Sequence, residues 1–176
     1  MGLCAMPDEK SFVLESTILI RSPLARVWDH ITNVDLTIYQ SPPIFKFLGI
    51  PQPLRAELTG AGIGARRTAW FNNGKRFTQI VLEWREFSCF RFSFSADPGF
   101  VVGYFFDLSE GSFQILEGWY QLSVVDVGMT KLVLGTKYRC SLSRISLIPL
   151  VISRCLGAYQ RFLLRMIGRN CEVRQS

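Results

Sequence analysis

The segment ISRCLGAYQRFLLRM, residues 152–166, decides the fold because it predicts one long amphipathic helix. Apolar side chains recur there at spacings of three and four residues, which places them on one arc of a helical wheel: Ile152, Cys155, Leu156, Tyr159, Phe162, Leu163 and Met166. The opposite side carries a stripe of arginines: Arg154, Arg161, Arg165 and Arg169. An apolar face of this width requires a second layer to cover it.

The chain before this helix predicts a run of β-strands. Residues 12–20, FVLESTILI, alternate with period two and are rich in β-branched side chains, as is typical of a strand with one buried face. Asn72-Asn73-Gly74 is the strongest hairpin signal, and Gly128 marks a second tight turn. Short turns of this kind connect antiparallel strands. Further strands are predicted at residues 54–59, 65–71, 75–84, 88–96, 112–125 and 130–140.

Short helices are predicted after the first strand. Ser22-Pro23 is a helix-start signature, and residues 23–32 carry apolar side chains on one face. Residues 35–40 are compatible with another short helix. The prolines at positions 42, 43, 51 and 53 disfavour regular structure, so we expect residues 44–50 to form an irregular segment or a flap over a pocket.

This element order predicts an α+β protein in which a curved antiparallel sheet wraps around the long C-terminal helix. We expect one domain over residues 12–170, with tails at residues 1–11 and 171–176. Aromatic residues make up 13% of the chain, more than a core of this size needs, and they could line a space between helix and sheet.

Composition narrows the function classes. The only histidine is His30, which excludes most histidine-based triads and zinc sites within one chain. None of the five cysteines forms a CxxC pair, so neither a metal site nor a disulfide framework is predicted, and a reduced, cytoplasmic compartment is the default. No cofactor is predicted. Three arginines interrupt the most apolar stretch, residues 145–167, which argues against a membrane-spanning helix.

The charge distribution bears on macromolecular partners. The formal net charge is +6. The arginine stripe could make peripheral contact with an anionic membrane surface, although a solvated helix face is the commoner explanation. Basic residues clustered with exposed aromatics are not evident, so nucleic-acid binding is not predicted.

Several motifs in sequence order resemble one known superfamily. Residues 18–28, ILIRSPLARVW, resemble its first strand and helix, and residues 70–74, WFNNG, fit its central sheet. EGWYQL at 117–122 followed by GMTKL at 128–132 resembles its penultimate hairpin. With the C-terminal helix, the resemblance covers residues 12–169. The chain is thus similar to the START-like (SRPBCC) superfamily, the helix-grip fold of the Bet v 1 allergens, polyketide cyclases and lipid-transfer domains.

The resemblance implies noncovalent binding or transport of a hydrophobic small molecule or lipid in an internal cavity. Two alternatives stay open: an enzyme of the polyketide cyclase or dehydratase type, and a structural or regulatory module whose cavity is filled by its own side chains. The sequence shows no dedicated set of catalytic residues, so we name none. This favours binding over catalysis.

Candidate ligand-binding residues are aromatic side chains and one carboxylate on the predicted sheet and helix: Trp70, Phe92, Phe94, Glu117, Trp119, Tyr120, Tyr138 and Tyr159. The alternation of residues 88–96 and 130–140 places Phe92, Phe94 and Tyr138 on apolar faces that should turn toward the helix. The direction of Glu117 depends on the turn at residues 126–129. A two-residue turn places Glu117 opposite Tyr138, whereas a shift of one residue flips it to the other face, and both orientations stay open.

Overall fold

The computed structural model describes residues 11–141 and 147–173. Its elements follow the predicted order of one strand, short helices, a run of strands and a long final helix: β1 (Ser11–Ile20), α1 (Leu24–Thr32), β2 (Val34–Asp35), α2 (Pro43–Phe47), β3 (Pro53–Thr59), β4 (Arg66–Phe71), β5 (Arg76–Arg85), β6 (Cys89–Ser93), β7 (Ser95–Ala96), β8 (Val101–Val102), β9 (Phe106–Asp107), β10 (Phe113–Asp126), β11 (Met129–Cys140) and α3 (Ile148–Val173).

One antiparallel sheet forms the body of the molecule. Its strand order is β1-β11-β10-β6-β5-β4-β3-β2, with β7 pairing β5, while β8 and β9 form a separate hairpin. The sheet curls around α3 as a half-barrel, which confirms the predicted α+β helix-grip class. The β4–β5 hairpin turns at Asn72-Asn73-Gly74, where Gly74 adopts a φ of +76°.

The proline-rich region differs from the expectation. Val34 and Asp35 form a short edge strand against β3, and the Asp35 carboxylate then accepts hydrogen bonds from the backbone N–H and the hydroxyl of Thr37. This local turn takes the place of the short helix considered for residues 35–40. The segment considered as a flap contains α2, whose Phe45 ring is buried against Tyr159 and Phe162 of α3.

Three apolar clusters make up the interior between α3 and the sheet. The first includes Phe90, Leu132 and Leu164, and extends to Trp28 of α1. The second gathers aromatic rings of β4, β5, β10, β11 and the segment between β7 and β8: Phe71, Phe77, Phe113, Tyr138 and Phe100. The third connects α2 and β2 to α3 through Leu36, Phe45, Phe162 and Met166. The concave face of the sheet is thus covered by α3, as the helical wheel predicts.

The arginine stripe of α3 lies on the opposite side of the helix and is exposed to solvent. Within the described part of the chain, no helix combines the length and apolar character needed to cross a membrane. Contact of this stripe with an anionic membrane surface stays a prediction. The predicted tails lie largely outside the described residues, except that β1 begins at Ser11 and α3 continues to Val173.

Candidate ligand cavity

A cavity of about 110 Å³ lies where the three clusters meet, between α3 and the concave face of the sheet. Most of its lining is apolar and comes from strands at the centre of the sheet and from α3, including Phe71, Phe77, Phe92, Phe94, Leu134 and Leu163. Arg55, whose side chain is half-exposed and paired with Glu57 at 3.2 Å, also contributes to the lining. We take Arg55 and Pro53, both on β3 next to the edge strand β2, as the rim of the cavity.

Polar side chains also reach the cavity, and all of them except the partly exposed Tyr159 are buried. Strands β4 and β5 contribute Arg67 and Gln79, β10 and β11 contribute Tyr120 and Thr136, and α3 contributes Tyr159 and Gln160. Buried polar groups are costly unless they are hydrogen-bonded, so their partners determine what the cavity can recognise.

Arg67 is the charged group at the centre of this polar set, and it is 3% exposed. Its Nη1 donates to the side-chain oxygen of Gln79 at 2.9 Å, and its Nη2 donates to the carbonyl of Ile31 at 3.0 Å. Nε donates to the carbonyl of Thr32 at 3.4 Å. The guanidinium also lies 5.3 Å from the ring centroid of Phe92. Arg67 therefore ties β4 to the C-terminal end of α1 from inside the core.

Burial sets the protonation behaviour of the cavity side chains. Desolvation lowers the pKa of Arg67, and the neighbouring Tyr120 hydroxyl opposes this shift. Desolvation raises the pKa of Tyr120, while the adjacent Arg67 cation and its hydrogen bond oppose the rise. Burial also raises the pKa of Tyr159 well above its ordinary value. Both phenols are consequently neutral at physiological pH.

Gln160 fixes the helix side of the cavity. Its amide nitrogen donates to the hydroxyl of Thr136 at 2.8 Å and to the carbonyl of Leu14 at 3.2 Å. Its side-chain oxygen accepts a hydrogen bond of 2.8 Å from the hydroxyl of Ser16. These bonds hold α3 against β1 and β11, so this wall is rigidly positioned.

Four of the eight candidate residues predicted from sequence lie in the cavity lining. They are Phe92 and Phe94 on or beside β6, Tyr120 on β10 and Tyr159 on α3. The structure therefore brings these four side chains together around one space. Their role in binding a ligand stays a proposal.

Tyr138 points into the interior but lies outside the cavity lining. Its ring stacks on Phe12 at a centroid distance of 5.5 Å and contacts Phe113 at 5.6 Å. Burial raises the pKa of Tyr138. The predicted cavity wall of Phe92, Phe94 and Tyr138 is thus corrected, since Tyr138 fills the neighbouring aromatic cluster.

Glu117 and Trp119 lie on the outer face of the sheet, the face turned away from α3. Of the alternatives considered, the two-residue turn is present at Val127-Gly128, but a bulge between Val124 and Asp126 shifts the register by one residue. Glu117 therefore pairs with Lys137, and its carboxylate lies 3.7 Å from the Lys137 ammonium. This places Glu117 among surface ion pairs and outside the cavity.

Trp119 and Trp70 are likewise corrected from wall residues to outer-face residues. The Trp119 ring lies flat over Gly135, and its Nε1 donates to Glu15 at 3.1 Å. Trp70 stacks with the Arg55 guanidinium at 4.6 Å from the ring centroid. In both strands the neighbouring residue, Tyr120 or Ala69, points inward, which is the alternation that a pleated sheet imposes.

Sequence reasoning missed Arg67, Gln79, Thr136 and Gln160. A signal for the first two was available, because the register of the Asn72-Asn73-Gly74 hairpin pairs Arg67 with Gln79. Gln79 lies between Phe77 and Val81 on the apolar face of β5, which indicates that it points inward with them. Gln160 gave no such signal, since it follows Tyr159 on the edge of the apolar arc of the helix.

The described residues contain no group of three or more His, Cys, Asp or Glu side chains that could hold a metal ion. The polar groups that line the cavity are two guanidiniums, those of buried Arg67 and half-exposed Arg55, together with two phenols, two amides and one hydroxyl, and the rest of the lining is apolar.

Comparisons with known proteins identify the fold. No protein-family model matches the chain, and no curated protein matches it in sequence. Among solved structures, Ara h 8.0201 superposes with a TM-score of 0.58 at 13% identity, covering 92% of this chain and 98% of that one. A protein from Nitrosospira multiformis gives a TM-score of 0.57 at 18% identity, covering 91% of this chain and 96% of its own.

A third neighbour is norcoclaurine synthase from Thalictrum flavum, solved in complex with dopamine and hydroxybenzaldehyde. It has a TM-score of 0.55 and 13% identity, and the match covers 100% of this chain and 95% of that one. The chain has the Bet v 1-like helix-grip fold. At such low identity the likeness concerns the fold alone. The cavity of this chain lies in the space between the curved sheet and the long helix of this fold.

Proposed function

We propose that this protein binds a small, largely apolar molecule noncovalently in the cavity between α3 and the sheet. The observation that carries the proposal is an apolar space of about 110 Å³ that the surrounding side chains leave open. It lies among tightly packed aromatic clusters, where protein interiors otherwise leave few voids larger than a water molecule.

The size of the cavity restricts the ligand. Pockets for drug-sized molecules measure roughly 300–1,000 Å³, whereas an engineered apolar cavity of about 150 Å³ binds benzene. A space of about 110 Å³ therefore suits one small ring or a short chain better than a sterol or a long lipid.

The chemistry of the lining favours binding over the cyclase or dehydratase alternative. General acid–base catalysis works best with a group whose pKa lies near the working pH. Burial raises the pKa of Tyr120 and of Tyr159, the two phenols of the cavity, which moves both away from neutrality. The open volume likewise counts against the module with a filled cavity.

Two adjacent positions of β4 test the proposal. Ala69 lines the cavity, and Thr68 points to the outer face. Ala69→Leu extends an apolar side chain into the cavity, and Thr68→Leu adds the same side chain outside it. Benzyl alcohol should bind the wild-type protein and Thr68→Leu, and binding to Ala69→Leu should be lost, as measured by calorimetry and thermal shift.

The stabilisation that a bound ligand should produce in the thermal shift can be calculated. A ligand present at a hundred times its dissociation constant stabilises a folded protein by ~2.7 kcal/mol. Circular dichroism verifies that both variants are folded. Equal stabilisation of Ala69→Leu and wild type would place the ligand elsewhere, and the absence of any binding by the wild-type protein would contradict the proposal.

A further inference from the structure

We propose that the ligand of this cavity carries a carboxylate, which the Arg67 guanidinium holds, so that the site selects small apolar carboxylic acids over neutral analogues. This inference rests on the proposed function, since it names the chemical class of the molecule bound in the same cavity.

The first support is a buried cation without a counter-ion. No carboxylate among the described residues forms an ion pair with Arg67, although six other ion pairs are present in that part of the chain. The cavity lining contains no Asp or Glu side chain. A buried charge normally has a partner of opposite sign because its desolvation is otherwise uncompensated.

The partners that Arg67 does have compensate the charge only in part. The Ile31 and Thr32 carbonyls lie in the last turn of α1, where the helix dipole presents a partial negative charge. Gln79 offers a neutral amide oxygen. These groups explain how the fold tolerates a buried guanidinium, and they leave its net positive charge in place.

The second support is hydrogen-bonding capacity in the cavity lining, to which Arg67 belongs. A guanidinium has five N–H groups, and the three bonds to Gln79, Ile31 and Thr32 use one hydrogen from each nitrogen. Each terminal nitrogen has a second hydrogen, and the Tyr120 hydroxyl, which also lines the cavity, accepts a hydrogen bond from the same guanidinium. One N–H group is therefore left for a ligand. A carboxylate could accept from the guanidinium and from the phenol together.

The third support is the match of charge and volume. One guanidinium balances one carboxylate, and planar Arg–carboxylate pairing is among the strongest hydrogen-bonding arrangements in proteins. A phosphate dianion would need further cations, and the other arginine of the lining, Arg55, is already paired with Glu57. With about 110 Å³ available, the apolar part of the acid is confined to one ring or a short chain.

The test compares two probes of nearly equal shape, benzoate and benzyl alcohol, at constant ionic strength. Calorimetry on the wild-type protein should show benzoate binding at least about tenfold tighter, as expected for hydrogen bonds to a charged group. Equal affinities, or tighter binding of benzyl alcohol, would overturn the inference while leaving the proposed function intact. Binding of neither probe would overturn the proposed function and this inference with it.

A substitution beside Arg67 provides the decisive variant. Gln79→Glu has nearly the same shape and supplies an internal carboxylate at the position that already accepts from Nη1. Benzoate affinity should fall at least about tenfold, and benzyl alcohol affinity should stay within about threefold. The control is Arg66→Gln, an exposed arginine next to Arg67 on β4 that lies outside the cavity lining, where both affinities should stay within about threefold. Unchanged benzoate binding by folded Gln79→Glu would overturn the inference. Were that variant not to fold, the two-probe comparison on the wild-type protein would decide it.

Discussion

Arg67 and Gln79 form a hydrogen-bonded pair of 2.9 Å across two neighbouring strands, inside the apolar core. The two residues are direct partners in the β4–β5 register, so the hairpin itself brings them together. Each is 3% exposed. The polar end of the cavity therefore lies on a hairpin whose strands pair without a register shift.

Replacement of Gln79 tests the energetic weight of this pair. Gln79→Leu removes the acceptor of Nη1 and leaves that donor buried without a partner. We expect the free energy of unfolding to fall by ~1–3 kcal/mol. The matched control is Thr78→Leu, one residue earlier on the outer face, which should change stability by less than ~0.5 kcal/mol. Urea unfolding of both variants measures the difference, and equal effects would show that the Arg67–Gln79 contact contributes little.

The sequence predicted the fold because its signals were local and agreed with one another. The 3–4 spacing of Leu156, Tyr159 and Leu163 defines a helix face, and Asn72-Asn73-Gly74 defines a hairpin. Each depends only on side chains a few positions apart. The curvature of the sheet around one helix then follows, since no other element is long enough to cover it.

The candidate site was predicted less completely because strand direction depends on irregularities that the sequence does not reveal. The bulge near Val124 turned Glu117 to the outer face. Trp119 and Trp70 were chosen by residue type, and both pack on the outer face instead. Phe92 and Phe94, two positions apart, both line the cavity, as the alternation of residues 88–96 predicts.

Two adjacent leucines of α3 distinguish the packed core from the cavity. Leu164 is 1% exposed within the first cluster, whereas Leu163 borders the cavity. Leu164→Ala should lower the free energy of unfolding by ~2–5 kcal/mol, the usual cost of a buried leucine. Leu163→Ala should cost less, since its side chain already faces open volume, and it should admit larger apolar ligands. A larger loss for Leu163→Ala in denaturant unfolding would contradict this assignment of core and cavity.

Replacing two glycines by alanine should change the stability of the fold in opposite directions. A Cβ at Gly135 would overlap the Trp119 ring, so Gly135→Ala should destabilise the fold by ~1–3 kcal/mol or more through overpacking. A Cβ at Gly157 would meet the flexible end of Arg161 at 3.3 Å, so the smaller loss of backbone entropy on folding should dominate there. Gly157→Ala should stabilise α3 by ~0.5–1 kcal/mol. Melting temperatures of the two variants should move in opposite directions, and a shared sign would refute this packing.

Because the Cys171 thiol is buried, we expect the folded protein to be less stable at alkaline pH. Burial raises the pKa of the Cys171 thiol from 9.0 to about 12. Above pH 9.0 the thiol ionises in the unfolded chain and stays protonated in the folded one, so the unfolded state binds fewer protons. The free energy of unfolding should therefore fall as pH rises toward 12, by at most ~1.4 kcal/mol per pH unit from this group.

The variant Cys171→Ala isolates this contribution from that of the tyrosines, whose raised pKa values act in the same direction. Urea unfolding at several pH values between about 8 and 10.5 should give a shallower pH slope for the variant than for the wild-type protein. Parallel slopes would mean that Cys171 titrates normally in the folded protein.

Methyl NMR during a titration with benzyl alcohol tests the central claim most directly, because it reports where a small apolar molecule lies. We predict saturable shifts of methyl groups that line the cavity on both walls: Ile115, Leu134, Leu156, Leu163 and Ile167. Methyl groups of exposed Leu19 and of buried Leu108, outside the cavity, should stay unchanged. Absence of shifts in the cavity methyls, or shifts confined to surface residues, would contradict the account of this protein as a binder of small apolar molecules.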